Sequence, residues 1–365
     1  MQFRAPGYIR AGGLLLWSEA SIDVTTITRA GRRRGQSSGS SPQCCARCPR
    51  GPAATQAGTH WRTERGKTMT PLTKPANDGG GAAPAPLAGR PRLLERLESV
   101  LGAPVEILPE VGSTNEELSA RAREAADRRD PLPDLTLLAT DFQSAGRGRL
   151  DRNWLVAPGE ALTFSLLLHP GAADGTALPA RAYGWLTMLM AGAVVQALHD
   201  DGVPARIKWP NDVLVDGRKL VGILASLVTL DGLPPAVVIG AGINVTTSQL
   251  PVETATSVSR EGGSTDRGGL LESVLEKFVP LYRRFCQDPG RLTRPDGSLR
   301  RAVEQDVITL GSSVRAELPG AQAPLTGTAV GMDEDGALLI RDDEDGVHAL
   351  MAGDVVHLRP AREAR

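Results

Sequence analysis

Four short stretches of the chain gather residues able to handle a charged ligand. The first is "TDFQSAGRGRLDRNW" (140–154), where Gly146-Arg147 is followed at once by Gly148-Arg149. Glycine lets a backbone approach a ligand closely and reach positive φ. Successive N–H groups in such a loop form an anion-binding concavity, and arginine adds a planar fork matched to phosphate and carboxylate oxygens. On these residues alone, a solvated glycine-rich turn explains the stretch equally well. The second is "KWPND" (208–212), with Lys208 at the end of an apolar run beside Trp209, and Pro210 stopping regular pairing. A lysine there puts a point charge in partly dry surroundings, where electrostatics are stronger. Trp209 reads as a core residue, and Asn211 and Asp212 as turn formers. The third is "GAGINV" (240–245), two glycines ahead of Asn244, whose amide can read a base edge or simply shape a turn. The fourth is Ser113-Thr114-Asn115, which either caps a helix or turns hydroxyls, an amide and helix N-terminal N–H groups toward a polar ligand.

Other chemistries find no support. There is no GxxxxGK(S/T) loop and no HExxH. No convincing Ser/His/Asp set is present, so an enzyme built on this chain would act by positioning and charge stabilisation. Cys44, Cys45 and Cys48 crowd one segment and Cys286 stands alone. That is no disulfide framework, no matching ligand pair follows at zinc-site spacing, and a reducing cytoplasm is the expected compartment. Residues 1–68 carry 11 Lys/Arg against 3 Asp/Glu, so with a net charge of −1 the remainder is acidic. An acidic body argues against a long nucleic-acid track. No apolar run reaches the ~20 residues of a membrane span.

The elements that must position these stretches follow from periodicity. Residues 1–92 are rich in Gly, Pro, Ser, Thr and Arg, show no sustained period, and read as a disordered N-terminal extension with Met69 as the favoured true start. Helical spacing begins with "RLLERLESVL". Ser113 and Glu116 form an S-x-x-E capping box. "LTLLATDFQ", "LTFSLLLHP" and "AVVIGAGINV" have the length of buried strands, and 183–199 and 268–287 read as helices. Asp216-Gly217 between two β-rich runs is a hairpin signal. The spacing predicts a mixed α+β domain over 93–300 with antiparallel hairpins. Over 307–360, short alternating runs joined by Gly- and Asp-containing turns predict a small closed β-barrel.

Taken in order, "STNEE", "TDFQSAGRGRLDRNW", "KWPNDVLVDGRKLVGILAS" and "GAGINV", followed by a small β-domain, resemble the biotin protein ligases, from about Leu93 to Leu358. The resemblance implies a biotin/lipoate ligase-like catalytic domain with a C-terminal SH3-like barrel. It implies adenylation of biotin by ATP with Mg²⁺, then transfer to a lysine of a carboxylase's biotin carboxyl carrier domain. It places Ser113, Thr114, Asn115 and Gln143 on biotin, and Arg147, Gly148 and Arg149 in a loop closing over biotinyl-adenylate. Lys208 would stand at the activated carboxyl and α-phosphate, Trp154 would enclose the adenylate, and Asn244 would lie near adenine. It assigns no metal ligand. Arg147, Arg149 and Lys208 are the expected catalytic cations, with Arg152 a further candidate. No three-helix DNA-reading pattern precedes the domain, so the resemblance is to the ligase-only form, with neither nucleic acid nor membrane as partner and with a homodimer admitted. A lipoate or octanoyl ligase, which shares the fold, a DNA-binding biotin repressor and a non-catalytic adenylate-binding protein are the competing readings.

Overall fold

We describe the chain from a computed structural model, which covers residues 85–149, 152–171, 176–247, 254–288, 297–317, 324–351 and 354–357. The cysteine cluster at 44–48 and Met69 lie outside the described residues. Helix α1 (Pro91–Leu101) opens with proline at its first position and closes on Gly102 at φ 66°, whose N–H reaches the Glu98 carbonyl. Leu93, Leu97 and Leu101 recur every four residues and form its buried stripe. Packing reaches upstream of α1, because Leu87 is fully buried.

The strands that follow are β1 (Val105–Leu108), β2 (Thr136–Thr140), β3 (Ala161–Leu168), β4 (Arg206–Lys208), β5 (Asp212–Val215), β6 (Arg218–Val228) and β7 (Ala236–Asn244). They form one sheet in the order β1-β2-β3-β7-β6-β5-β4. Only β1 and β2 run parallel, and every other pair is antiparallel, so the architecture is mixed α+β. The β5–β6 hairpin turns through Asp216 (φ 48°) and Gly217 (φ 76°), the positive pair that a two-residue hairpin of matching twist needs.

The two faces of the sheet are used differently. Leu162, Phe164, Leu166 and Leu168 of β3 alternate with Thr163, Ser165 and Leu167. The first set joins Val237, Ile239, Ala241 and Ile243 of β7 in the main core, beneath α1, α3 (Gly184–Asp200) and α4 (Arg267–Gln287). The second face is covered over part of its length by α2 (Thr114–Asp127). There Leu118, Ala122 and Ala126 meet Leu138, Leu167 and Val238. The rest of that face carries glycines and hydroxyls.

After α5 (Ser298–Glu304) come β8 (Ser313–Glu317), β9 (Leu325–Met332), β10 (Leu338–Arg341), β11 (Val347–Leu350) and β12 (Asp354–His357). They make a second, antiparallel sheet in the order β11-β10-β9-β8-β12. Its apolar side, with Val314, Ala329, Met332 and Ile340, belongs to the same core cluster as the first sheet. The seam is also hydrogen-bonded: the indole N–H of Trp185 donates to the Glu334 carbonyl at 3.1 Å and that of Trp209 to the Gly336 carbonyl at 3.2 Å. Trp209 is thus the core residue its context predicts. Among the described residues, no helix is long and apolar enough to cross a membrane.

Candidate active site

Strand register builds the floor of the site. One cross-strand row runs Lys208↔Asp212↔Gly222↔Gly242↔Thr163↔Thr140, and the row above it runs Leu224↔Gly240↔Ser165↔Leu138. Residues opposed in this way project to the same side, so both rows lie on the face that α2 covers in part, the second row reaching under the start of α2. Two of these positions, Gly240 and Gly242, need glycine for space, and Gly222 lies in ordinary contact with the same ring as Gly242. A Cβ on Gly240 would lie 2.1 Å from Asn115 Oδ1, and one on Gly242 would lie 2.7 Å from the Trp154 ring, which also reaches to 3.5 Å from a Cβ on Gly222. The result is a flat trough on which an amide and an indole rest directly.

The polar end of the trough is made by the start of α2. Ser113 caps the helix by accepting the Glu116 N–H at 3.5 Å, as the capping box predicts. Gln143 is drawn to the helix start because β1 and β2 continue as a parallel bridge from Val111 to Gln143. Its Oε1 accepts from the Thr114 N–H at 2.7 Å and from Thr114 Oγ1 at 3.0 Å. Ser165 Oγ lies 2.7 Å from Thr114 Oγ1 and 2.6 Å from Asn115 Oδ1, while Asn115 Nδ2 donates to the Leu224 carbonyl at 3.0 Å. These bonds orient both amides. Three oxygen–oxygen contacts, Gln143–Thr114, Thr114–Ser165 and Ser165–Asn115, then share only the two hydroxyl hydrogens of Thr114 and Ser165. One contact always lacks a hydrogen, so the chain as a whole is rich in acceptors. It suits an uncharged ligand carrying N–H donors.

Arg149 and Lys208 stand toward the other end, while Arg147 sits beside the start of α2. The Gly-Arg repeat folds back on itself: Trp154 N–H donates to the Gly146 carbonyl at 2.8 Å and Gly148 N–H to the Arg152 carbonyl at 2.6 Å. Gly146 is obligatory, since a Cβ there would lie 2.3 Å from the Trp154 carbonyl. Arg147 pairs with Glu116 at 2.7 Å, and Arg149 Nη1 donates to Asn211 Oδ1 at 3.0 Å. Asn211 Nδ2 in turn donates to the Ile223 carbonyl, tying the loop to β6. Lys208 is half-buried at the end of β4, beside Asp212 across the β4–β5 pair.

The structure therefore brings Ser113, Thr114, Asn115, Gln143, Arg147, Gly148, Arg149, Trp154 and Lys208 around one trough. Asn244 stands apart in role: its side chain is buried, its Nδ2 donates to the Thr256 carbonyl at 3.0 Å, and its Oδ1 accepts from Thr247 Oγ1 at 3.5 Å. Its amide binds protein at both ends. Sequence reasoning missed Ser165, Asn211 and Lys219. The Lys219 ammonium lies 2.6 Å from Asp212 Oδ1 and over Gly222, at the trough itself. The available signals were a serine at an alternate position of an apolar strand and a second lysine just past the hairpin turn. The indole N–H of Trp154 is buried beside the glycine floor and has no acceptor among the described residues.

Comparison with known proteins follows this geometry. Residues 112–244 match the Biotin/lipoate A/B protein ligase family, and residues 309–358 match the Biotin protein ligase C terminal domain. The chain is 35% identical over 283 residues to the biotin–[acetyl-CoA-carboxylase] ligase of Mycobacterium tuberculosis, covering 74% of this chain and 97% of that one. It is 31% identical over 277 residues to the bifunctional ligase/repressor BirA of Bacillus subtilis, covering 74% of this chain and 81% of the relative. Among solved structures, the biotin protein ligase from Aquifex aeolicus in complex with biotin and ATP aligns with a TM-score of 0.53 and 26% identity, over 70% of this chain and 99% of that one.

Proposed function

The chain belongs to the biotin protein ligase family, and on that premise we propose how its own residues carry the reaction. It is an ATP-dependent biotin protein ligase, forming biotinyl-5′-AMP from biotin and ATP and transferring biotin to a carboxylase carrier lysine. The observation that supports the residue roles is the glycine-floored trough, with acceptors at one end and Arg149 and Lys208 toward the other. The acceptor chain of Gln143, Thr114, Ser165 and Asn115, capped by Ser113, takes the ureido N–H groups. The Trp154 indole, resting on the floor of Gly222 and Gly242, packs against the apolar body of biotin and helps enclose the adenylate. The carboxylate then points to the cationic end.

In the first step the biotin carboxylate oxygen attacks the α-phosphorus, the bond to the bridging oxygen breaks, and pyrophosphate leaves. Negative charge grows on the phosphoryl oxygens. Arg147, Arg149, Lys208 and Lys219 answer it electrostatically in a partly dry site, with Gly148 giving the loop backbone close approach. In the second step the carrier lysine attacks the anhydride carbonyl and AMP leaves. The loop of residues 143–154 limits water during the interval between them. Asn244 borders adenine through the strand end it pins. Mg²⁺ bound with ATP would supply charge neutralisation at the phosphoryl oxygens. Asp212, paired with Lys219 at 2.6 Å and opposite Lys208 in the strand register, is the carboxylate that would help hold such an ion. The finer organisation is proposed likewise: a catalytic domain over 93–300 and an SH3-like barrel closed from the C-terminal sheet. The disorder expected over 1–92 does not extend to residues 85–92, where Leu87 is buried and α1 begins at Pro91. The enzyme is expected in the cytoplasm, as a ligase without a DNA partner, and able to dimerise.

The test is incubation of the full chain with ATP, Mg²⁺, a biotin carrier domain and either biotin or lipoate, followed by mass spectrometry of the carrier. Mass gain with biotin alone is the expected result, and gain with lipoate alone would overturn the reading. Lys208→Ala and Lys219→Ala should each slow pyrophosphate release by on the order of 10²-fold. A near-normal rate in either removes that lysine from the mechanism.

A further inference from the structure

Outside the trough, a buried arginine fastens the loop that builds it. Arg267 is the first residue of α4, and its side chain is only 3% exposed. Its Nη2 donates to Asp141 Oδ1 at 2.7 Å and to the Ala85 carbonyl at 2.8 Å, and its Nη1 donates to the Ala161 carbonyl at 3.3 Å. Asp141 and Ala161 are the two stems of the segment that carries Gln143, the Gly-Arg repeat and Trp154. The stems also meet directly through the Gly159 N–H and the Asp141 carbonyl at 2.9 Å. The Asp141 carboxylate is completed by the upstream arm: Leu87 N–H donates to Oδ1 at 2.8 Å and Ala88 N–H to Oδ2 at 3.0 Å.

We propose that Arg267 is a positioning residue for biotin and adenylate binding, acting with Asp141 and the 85–88 arm as a staple across both stems of the 141–161 loop. A core does not need an ion pair here, since well-packed apolar residues can stabilise a fold as well as a buried pair. What the guanidinium adds is direction: a planar fork bonds three segments at fixed angles. Asp141 is two residues from Gln143, so a shift at the staple moves the acceptor end of the trough. Displacements near 1 Å at a binding site cost up to about 10²-fold in reactivity. The glycine-rich loop between the stems has little rigidity of its own, which leaves its stems to set its place.

This inference rests on the biotin ligase reading, and the experiment separates the two. Biotin affinity is measured by calorimetry, and KM for biotin, kcat and the thermal midpoint are measured, on the full-length parent, Arg267→Met, Arg267→Lys and Ala88→Pro. The last removes one arm N–H from Asp141 without altering a residue of the trough. Parent protein that fails to bind biotin would sink the ligase reading itself. With a binding parent, Arg267→Met is expected to raise the biotin Kd and KM about tenfold or more at temperatures well below its midpoint, with kcat changed much less. Arg267→Lys, which keeps the charge, should recover part of the loss, and Ala88→Pro should show a smaller rise of the same kind. Biotin Kd and KM within twofold of the parent in folded Arg267→Met overturn the proposal. Should that variant not fold, unchanged values in both Arg267→Lys and Ala88→Pro overturn it.

Discussion

Thr114 shows how much one hydroxyl can carry. Its Oγ1 touches Gln143 and Ser165, and so joins the two halves of the acceptor chain. Thr114→Val keeps the shape and removes the join. Each hydrogen bond left unmade on a buried partner costs about 1–3 kcal/mol, so biotin affinity should fall about tenfold or more as the chain loses its alignment, and the thermal midpoint should fall by several degrees. Titration calorimetry reads the first and a melting curve the second. Gly242 sets the floor: alanine there would put a methyl 2.7 Å from the Trp154 ring, and the indole would have to lift. Gly242→Ala should therefore weaken adenylate retention about tenfold or more without unfolding β7, and retention equal to the parent's would show that the indole does not use this surface. At this scale the sequence was informative where a motif holds several polar residues together, as in Ser113-Thr114-Asn115 or the Gly-Arg repeat. It was silent on Ser165 and Lys219, because a lone serine in an apolar strand and a lysine after a turn gain meaning only from their cross-strand neighbours. Asn244 was visible, but its bonds to Thr256 and Thr247 were not.

At the scale of elements, local chemistry was readable nearly to the residue. The proline start and glycine stop of α1, the Ser113 cap of α2 and the Asp216-Gly217 turn are all backbone effects that a sequence displays directly. Strand order was not readable, since parallel pairing of β1 with β2 and the placing of β7 between β3 and β6 depend on contacts far apart in sequence. Another such contact joins β2, β3 and α4. Asp134 Oδ1 accepts from the His169 N–H at 2.8 Å and from the Tyr282 hydroxyl at 2.9 Å. Burial pushes the Asp134 carboxyl above its ordinary range despite these bonds, and it pushes the Tyr282 hydroxyl up as well. A carboxyl raised by folding holds its proton longer in the native state than in the unfolded one. Its contribution is thus fullest at acid pH and is lost as pH climbs through the ordinary carboxylate range toward the raised native value. Asp134→Asn keeps an acceptor for both donors and cannot ionise. Its thermal midpoint should exceed the parent's at pH 7, and the gap should shrink as pH falls to about 4. A gap that widens on acidification would reverse the assignment.

At the scale of the whole molecule, the composition change near Val307 marks where the second sheet starts, and that much was legible. The sharing of one core was not, because either segment alone shows only that it has an apolar side. Val314, Met332 and Ile340 sit in the same cluster as Trp185 and Trp209, and a Cβ on Gly184 would lie 2.6 Å from the Asp335 carbonyl, so the two parts approach to backbone contact. Heat or urea should therefore unfold residues 85–357 in one cooperative transition, with circular dichroism and hydrogen exchange in β6 and β9 giving the same midpoint. Two separated midpoints would mean the seam is weaker than its contacts imply. The same indoles give the seam an optical signature. Trp185 and Trp209 are shielded from solvent and donate to carbonyls of the β9–β10 turn, so both should emit in the blue and redden together when the turn pulls away. Trp154, whose N–H has no acceptor among the described residues, emits from the trough instead. With Trp17 and Trp61 replaced by phenylalanine, the protein's own fluorescence becomes a two-channel gauge, one colour change for the parting of its sheets and another for the arrival of its substrate.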